Sequence, residues 1–256
     1  MADTRYLAVI ADGPTDARIY EHLVKTLLHA EGPWECISVQ GSLRDAVDAF
    51  WAAGGSDSEE RSICSESARA LRRDVLGVIN AAYERFAANA QRAVSHRDLL
   101  LVTTDSERRL TESEAYLRGA WPGLLPRLIG LAVDDLYHSR HSRHHPPAAL
   151  PLICHIVPFP STDVLVAAAD LDATEDLYRG RPARELKRAL YGTDDLSSLG
   201  PERFEALALR PIDREACIRL CQRVPEVSRV LRQLAWNAHC SQNDTHAQHV
   251  AAQLLG

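Results

Sequence analysis

A chain of 256 residues with 46% hydrophobic and 25% charged residues has the balance of a globular protein, not of a disordered, collagen-like or coiled-coil one. Its net charge of −6 excludes attraction to nucleic acid by overall charge and confines any such contact to a local basic groove. No apolar run approaches the ~18 residues of a membrane span, the start MADTRYLAVIADG lacks signal-peptide features, and six cysteines are too sparse for a disulfide scaffold. A cytoplasmic protein with reduced thiols and no membrane partner is expected.

Residues 6–11, YLAVIA, form a short apolar run that stops at Asp12-Gly13-Pro14. Apolar positions then recur at Ala17, Ile19, Tyr20, Leu23, Val24, Leu27 and Leu28, which predicts a buried strand, a turn and an amphipathic helix over 15–30. Thr15 or Asp16 can accept hydrogen bonds from the free amides of the first helical turn. ECISVQ, 35–40, predicts a second strand, followed by a helix over 42–51 and a loop over 54–65. Leu71, Val75, Val78, Ile79, Tyr83 and Phe86, at three- and four-residue spacing, predict a long helix within 66–93. DLLLVTT, 98–104, is a third apolar strand and ends in Asp105-Ser106-Glu107. Helices follow over 111–119 and 121–137, then a polar loop over 138–147 and a fourth buried strand over 151–158. Helical patterns broken by Gly and Pro run from there to Gly256.

Short apolar strands alternating with helices predict an α/β fold, a mostly parallel sheet covered on both faces. Ligand sites in such sheets lie at the carboxyl ends of the strands. There the first strand delivers Asp12 and, four residues on, Asp16; the third delivers Asp105 and Glu107; the fourth delivers Asp163. Ionised carboxylates about 4–5 Å apart repel by roughly 3–4 kcal/mol per pair at an effective dielectric near 20. Such a cluster is either partly protonated or neutralised by a divalent cation. Oxygen-only donors favour Mg2+ or Mn2+ over zinc, and a metal so held suits phosphodiester transfer.

The same residues resemble a known family. Strand-Asp12-Gly13-Pro14-Thr15-Asp16-helix is similar to the first motif of Toprim domains, and strand-Asp105-Ser106-Glu107 to their acid-x-acid motif. PFPSTDVLVAAADLD, 158–172, resembles a segment of small bacterial Toprim proteins of the OLD and RloB groups. Two acids depart from the family's usual pattern: Asp12 stands where glutamate is usual, and Glu107 where aspartate is. The likeness covers roughly residues 1–195. It implies a Toprim-like domain with a mostly parallel four-stranded sheet and a helical insertion over about 43–96, and leaves 196–256 as a helical C-terminal extension.

What the resemblance implies is a metal-dependent nuclease of bacterial defence or mobile-element type, acting on DNA or RNA beside a separate ATPase subunit. Asp105, Glu107 and Asp16 would hold Mg2+ or Mn2+, Asp12 would serve as ligand or base, Asp163 would support a second ion, and Gly13 would let the turn approach a phosphate. A homo-oligomer or a basic partner would supply the missing basic groove. The alternative is a catalytically inert Toprim-like binding subunit of a larger complex. The haloacid-dehalogenase start is excluded, because Pro14 stands where that motif needs a second Asp.

Among the basic residues, Arg108 and Arg109 follow Glu107 directly and are placed to contact a substrate phosphate or pair with the carboxylates. Arg179, Arg181, Arg184, Lys187 and Arg188 form the one dense basic cluster. Arg181, Arg184 and Arg188 share a helical face that suits a phosphate backbone, the plainer alternative being a solvated face with Glu185 and Asp176 as partners. His138, His141, His144 and His145 are read as part of a solvated loop, and Cys217 and Cys221 as core thiols.

Overall fold

The computed structural model of the chain describes residues 4–28, 33–53, 65–105, 124–141, 150–174, 181–228 and 230. Strand β1, Arg5–Ile10, is buried along its whole length, as a strand covered on both faces must be. Helix α1, Pro14–Leu27, starts with Gly13 extended at the N-cap and Pro14 in the first turn, where its missing N–H costs nothing. Then come β2, Trp34–Cys36, α2, Arg44–Ala52, and α3, Glu66–Asn89. Ser65 caps α3 by accepting from the Ala68 amide. Strand β3, Leu99–Thr103, α4, Leu124–His141, β4, Leu152–Ile156, and α5, Asp163–Ala169, complete the sheet and its nearest covers. Helices α6, Ala183–Tyr191, α7, Pro201–Phe204, and α8, Arg214–Arg223, follow, α7 running into a π-helical turn over Glu205–Leu209.

The four strands lie in the order β2-β1-β3-β4 and all pairs are parallel. Alternation along the strands divides the core in two. Leu7, Val9, Leu99, Leu101, Cys154 and Ile156 pack with α1, α5, α6 and α8. Tyr6, Ala8, Ile10, Leu100, Val102 and Ile153 pack with α2, α3 and α4.

The described part of the expected C-terminal extension is built into the first of these cores through Phe204, Ala208, Ile212, Cys217 and Leu220. Helix α5 is buried on all sides, and its carbonyl end is met by Arg219, which donates to Ala169, and Arg223, which donates to Ala168. Cys217 and Cys221 are buried thiols in the core, Cys221 donating to the Cys217 carbonyl.

Two local expectations change. Strand β2 ends at Cys36 instead of continuing to 40, its last ladder contact being the Ile37 amide donating to Leu7. Helix α4 runs through His141, so His138 and His141 are helical and not part of a loop. His138 donates from Nδ1 to the Asp134 carbonyl one turn back at 2.7 Å, so the imidazole satisfies a backbone acceptor of its own helix. The helix expected over 111–119, and the 142–147 part of the polar loop with His144 and His145, fall outside the described residues.

Candidate functional site

The strand order creates one topological switch. From β1 the chain crosses to β2 on one side, and from β3 it crosses to β4 on the other, so the crevice lies beyond the carboxyl ends of β1 and β3. The register pairs Ile10 with Val102, and its continuation sets Asp12 opposite Thr104.

Both Asp12 oxygens are held. Oδ2 accepts from the Thr104 hydroxyl at 2.8 Å and from the Asp105 amide at 2.9 Å, while Oδ1 accepts from the Ser42 hydroxyl at 3.1 Å. Asp105 is oriented in turn from the β4 side, its Oδ1 accepting from the Thr162 amide at 2.8 Å and the Thr162 hydroxyl at 3.0 Å. Burial pushes the Asp105 carboxyl well above the usual carboxylate range. The neighbouring Asp16, and then Asp12 and Asp163, push it further, against the amide bond from Thr162.

These groups line a cavity of about 450 Å3. Its floor is Asp12, Gly13, Asp16, Thr104 and Asp105. One wall is Arg44, Asp48 and Trp51 of α2; the other is Pro182 with Arg184 and Lys187 of α6. Because α2 covers one face of the sheet and α6 the other, the cavity straddles the sheet's end. Gly13 needs no special backbone angle here, and a Cβ on it would stand in ordinary contact 3.5 Å from Asp16 Oδ2.

Asp163 is placed differently from the other acids. It begins α5, is fully buried, and is not part of the cavity lining. Its Oδ2 accepts from the Ser161 hydroxyl at 2.9 Å and lies 3.7 Å from Lys187 Nζ, whereas its Oδ1 has no hydrogen-bond partner among the described residues. The Tyr191 phenol is buried nearby; burial, and then the Asp163 charge, raise it far above its ordinary value.

In the basic cluster, Arg184 and Arg188 both donate to Asp194 and not to Glu185, while Arg181 precedes α6 and so does not share its face. Arg179, Asp176, Glu107, Arg108 and Arg109 fall outside the described residues.

The donor chemistry of Asp12, Asp16 and Asp105, hard oxygens whose mutual repulsion raises Asp105, fits a divalent cation such as Mg2+ or Mn2+. Among the described residues, no three or more His, Cys, Asp or Glu side chains form a group that could hold a metal ion. Compared with known proteins, the chain matches no protein-family model, no curated protein and no solved structure. Among the described residues, no helix is long and apolar enough to cross a membrane.

Sequence reasoning singled out Asp12, Asp16 and Asp105, which the fold brings together. It missed Thr104, Thr162 and Ser42, which aim the acids, and the α2 wall. The signal for that wall is the spacing Arg44, Asp48, Trp51, four and three residues apart on one helical stripe directly after the second strand.

Proposed function

We propose that this cavity is the active site of a nuclease, cleaving phosphodiester bonds of DNA or RNA with Mg2+ or Mn2+ through a Toprim-type carboxylate cluster. One observation carries the reading: Asp12 and Asp105, hydrogen-bonded across adjacent strand ends with Asp16 beside them, face the same cavity as Arg44, Arg184 and Lys187. Acids that suit a cation, set against cations that suit phosphate oxygens, are the two halves of a phosphodiester site. The four-stranded all-parallel sheet with helices on both faces is compatible with a Toprim-like fold.

In this reading Asp105 and Asp16 hold the cation with Asp12, and Glu107 adds a further carboxylate from just beyond β3. When bound, the cation would lower the pKa of a coordinated water and offset charge on the phosphate. Thr162 fixes the direction of Asp105, and Thr104 and Ser42 fix that of Asp12, so neither carboxylate has to be ordered when substrate arrives. Arg44, Arg184 and Lys187 neutralise and position the phosphate, joined by Arg108 and Arg109. Asp163, buried and outside the cavity lining, pairs with Lys187 instead of meeting substrate. A role in bacterial defence or mobile-element biology, with a separate ATPase subunit or a second copy of the chain as partner, extends the same reading.

A second reading, an inert Toprim-like binding subunit, is favoured by one observation: both Asp12 oxygens already accept hydrogen bonds. One assay separates the two. DNA and RNA are incubated with Mg2+, Mn2+ or chelator and either the natural protein or Asp105→Ala. Metal-dependent cleavage lost in the variant supports the nuclease; no cleavage with any metal supports the binding subunit.

A further inference from the structure

The α2 wall of the cavity has chemistry that the acidic floor does not need. Arg44, Asp48 and Trp51 occupy one stripe of α2 and all line the cavity. Trp51 is only partly buried, and its ring meets the buried Phe50 ring edge-on with centroids 4.6 Å apart, which ties it to the core while it lines the cavity. An indole on one wall, with Arg44, Arg184 and Lys187 around the same space, suits a ligand that carries both a flat ring and a phosphate. A cavity of about 450 Å3 is of small-ligand size. It has room for a single nucleotide and not for a base-paired duplex, whose bases are stacked out of reach.

We infer that the cavity takes one unpaired nucleotide, its base against Trp51 and its phosphates toward Arg44, Arg184, Lys187 and the acidic floor. The substrates are therefore single strands, flaps or looped-out residues. This rests on the nuclease reading for the identity of the ligand and goes beyond it in fixing the strandedness.

The test measures binding of a fluorescent 12-nucleotide single strand, and of the same strand in a blunt duplex, with chelator present so that nothing is cut. The full chain is compared with Trp51→Phe, Trp51→Leu and Arg44→Ala, each checked for folding by its thermal transition. The single strand is expected to bind more tightly than the duplex, with Trp51→Phe within about threefold of the natural protein. Trp51→Leu, which keeps an apolar group against Phe50 but removes the π-face, is expected to weaken single-strand binding about tenfold or more. Arg44→Ala is expected to weaken it with a shallower salt dependence. Equal affinity for duplex and single strand, or equal affinity of Trp51→Leu and Trp51→Phe, overturns the inference. Metal-dependent cleavage is measured separately: cleavage that is indifferent to Trp51→Leu overturns the nucleotide pocket alone, whereas selective single-strand binding without cleavage overturns the nuclease alone.

Discussion

The backbone N–H of Asp105 donates to a carboxylate oxygen of Asp12 at 2.9 Å, so the acid that ends β3 is hydrogen-bonded to the acid that ends β1. Two stretches of chain more than ninety residues apart are thereby joined where the order of strand addition reverses. The bond neutralises none of the charge, since an amide and not a cation makes it. The carboxylates are held together and left repelling one another.

Relief of that repulsion predicts opposite effects of one substitution on stability and on activity. Asp105→Asn keeps an oxygen that accepts from Thr162 while removing a charge facing Asp16, Asp12 and Asp163. The variant is expected to melt at the same temperature as the natural protein or higher, while cleavage falls about 100-fold or more. Calorimetry and the cleavage assay, run on one preparation, check both.

A cation that binds the folded chain alone must also raise its melting temperature. At ~100 times its Kd such an ion adds about 2.7 kcal/mol, which for a chain of this size is about 5–10 °C. Thermal scans with Mn2+ or Mg2+ against chelator are expected to show that rise in the natural protein and to lose it in Asp105→Asn.

Thr104 is a buried residue whose hydroxyl serves Asp12. Thr104→Val preserves shape but withdraws one donor from a carboxylate, an expected cost of about 1.5–3 kcal/mol in urea unfolding. Thr104→Ser is expected to recover most of it. If valine and serine are equally stable, the hydroxyl is not holding Asp12.

Far from the cavity, at the amino ends of the strands, Asp98 is expected to contribute acid sensitivity to the fold. Its buried carboxylate accepts from two Arg92 nitrogens at 2.7 and 2.8 Å and from the amides of Tyr6 and Ser95, each within 2.9 Å. Burial alone would raise this group, but the hydrogen bonds from Arg92, Tyr6 and Ser95 outweigh it and hold Asp98 below the usual aspartate range. A depressed folded-state pKa means stability that is fully present above the unfolded value near 3.9 and is lost as pH falls through the folded value. Urea midpoints are expected to be insensitive to this group at neutral pH and to fall below about pH 4. Arg92→Ala is expected to cost about 1.5–3 kcal/mol at pH 7 and to reduce that acid dependence.

What the sequence revealed depended on how local each signal was. Asp12 and Asp105 stand out because each directly follows an apolar run, and a polar residue that ends a buried strand is conspicuous. Thr104 hides in the run DLLLVTT, where a β-branched residue reads simply as strand. Asp163 reads as one more acid after a strand, because its burial comes from its place at the start of α5, whose other six residues are apolar and all buried. The stripe Arg44, Asp48, Trp51 looks like any solvated helical face until the strand order puts α2 over the crevice. Ribbon order is a long-range property, and no spacing within the chain encodes it.

The adjacency of β1 and β3 also sets a fixed gauge. Neighbouring strands sit about 4.8 Å apart, a spacing that hydrogen-bond geometry imposes and loop composition cannot alter. Whatever occupies the gap above Asp12 and Thr104 must match that rung width, so side-chain length, and not strand spacing, is what can change the reach of the groups that face it.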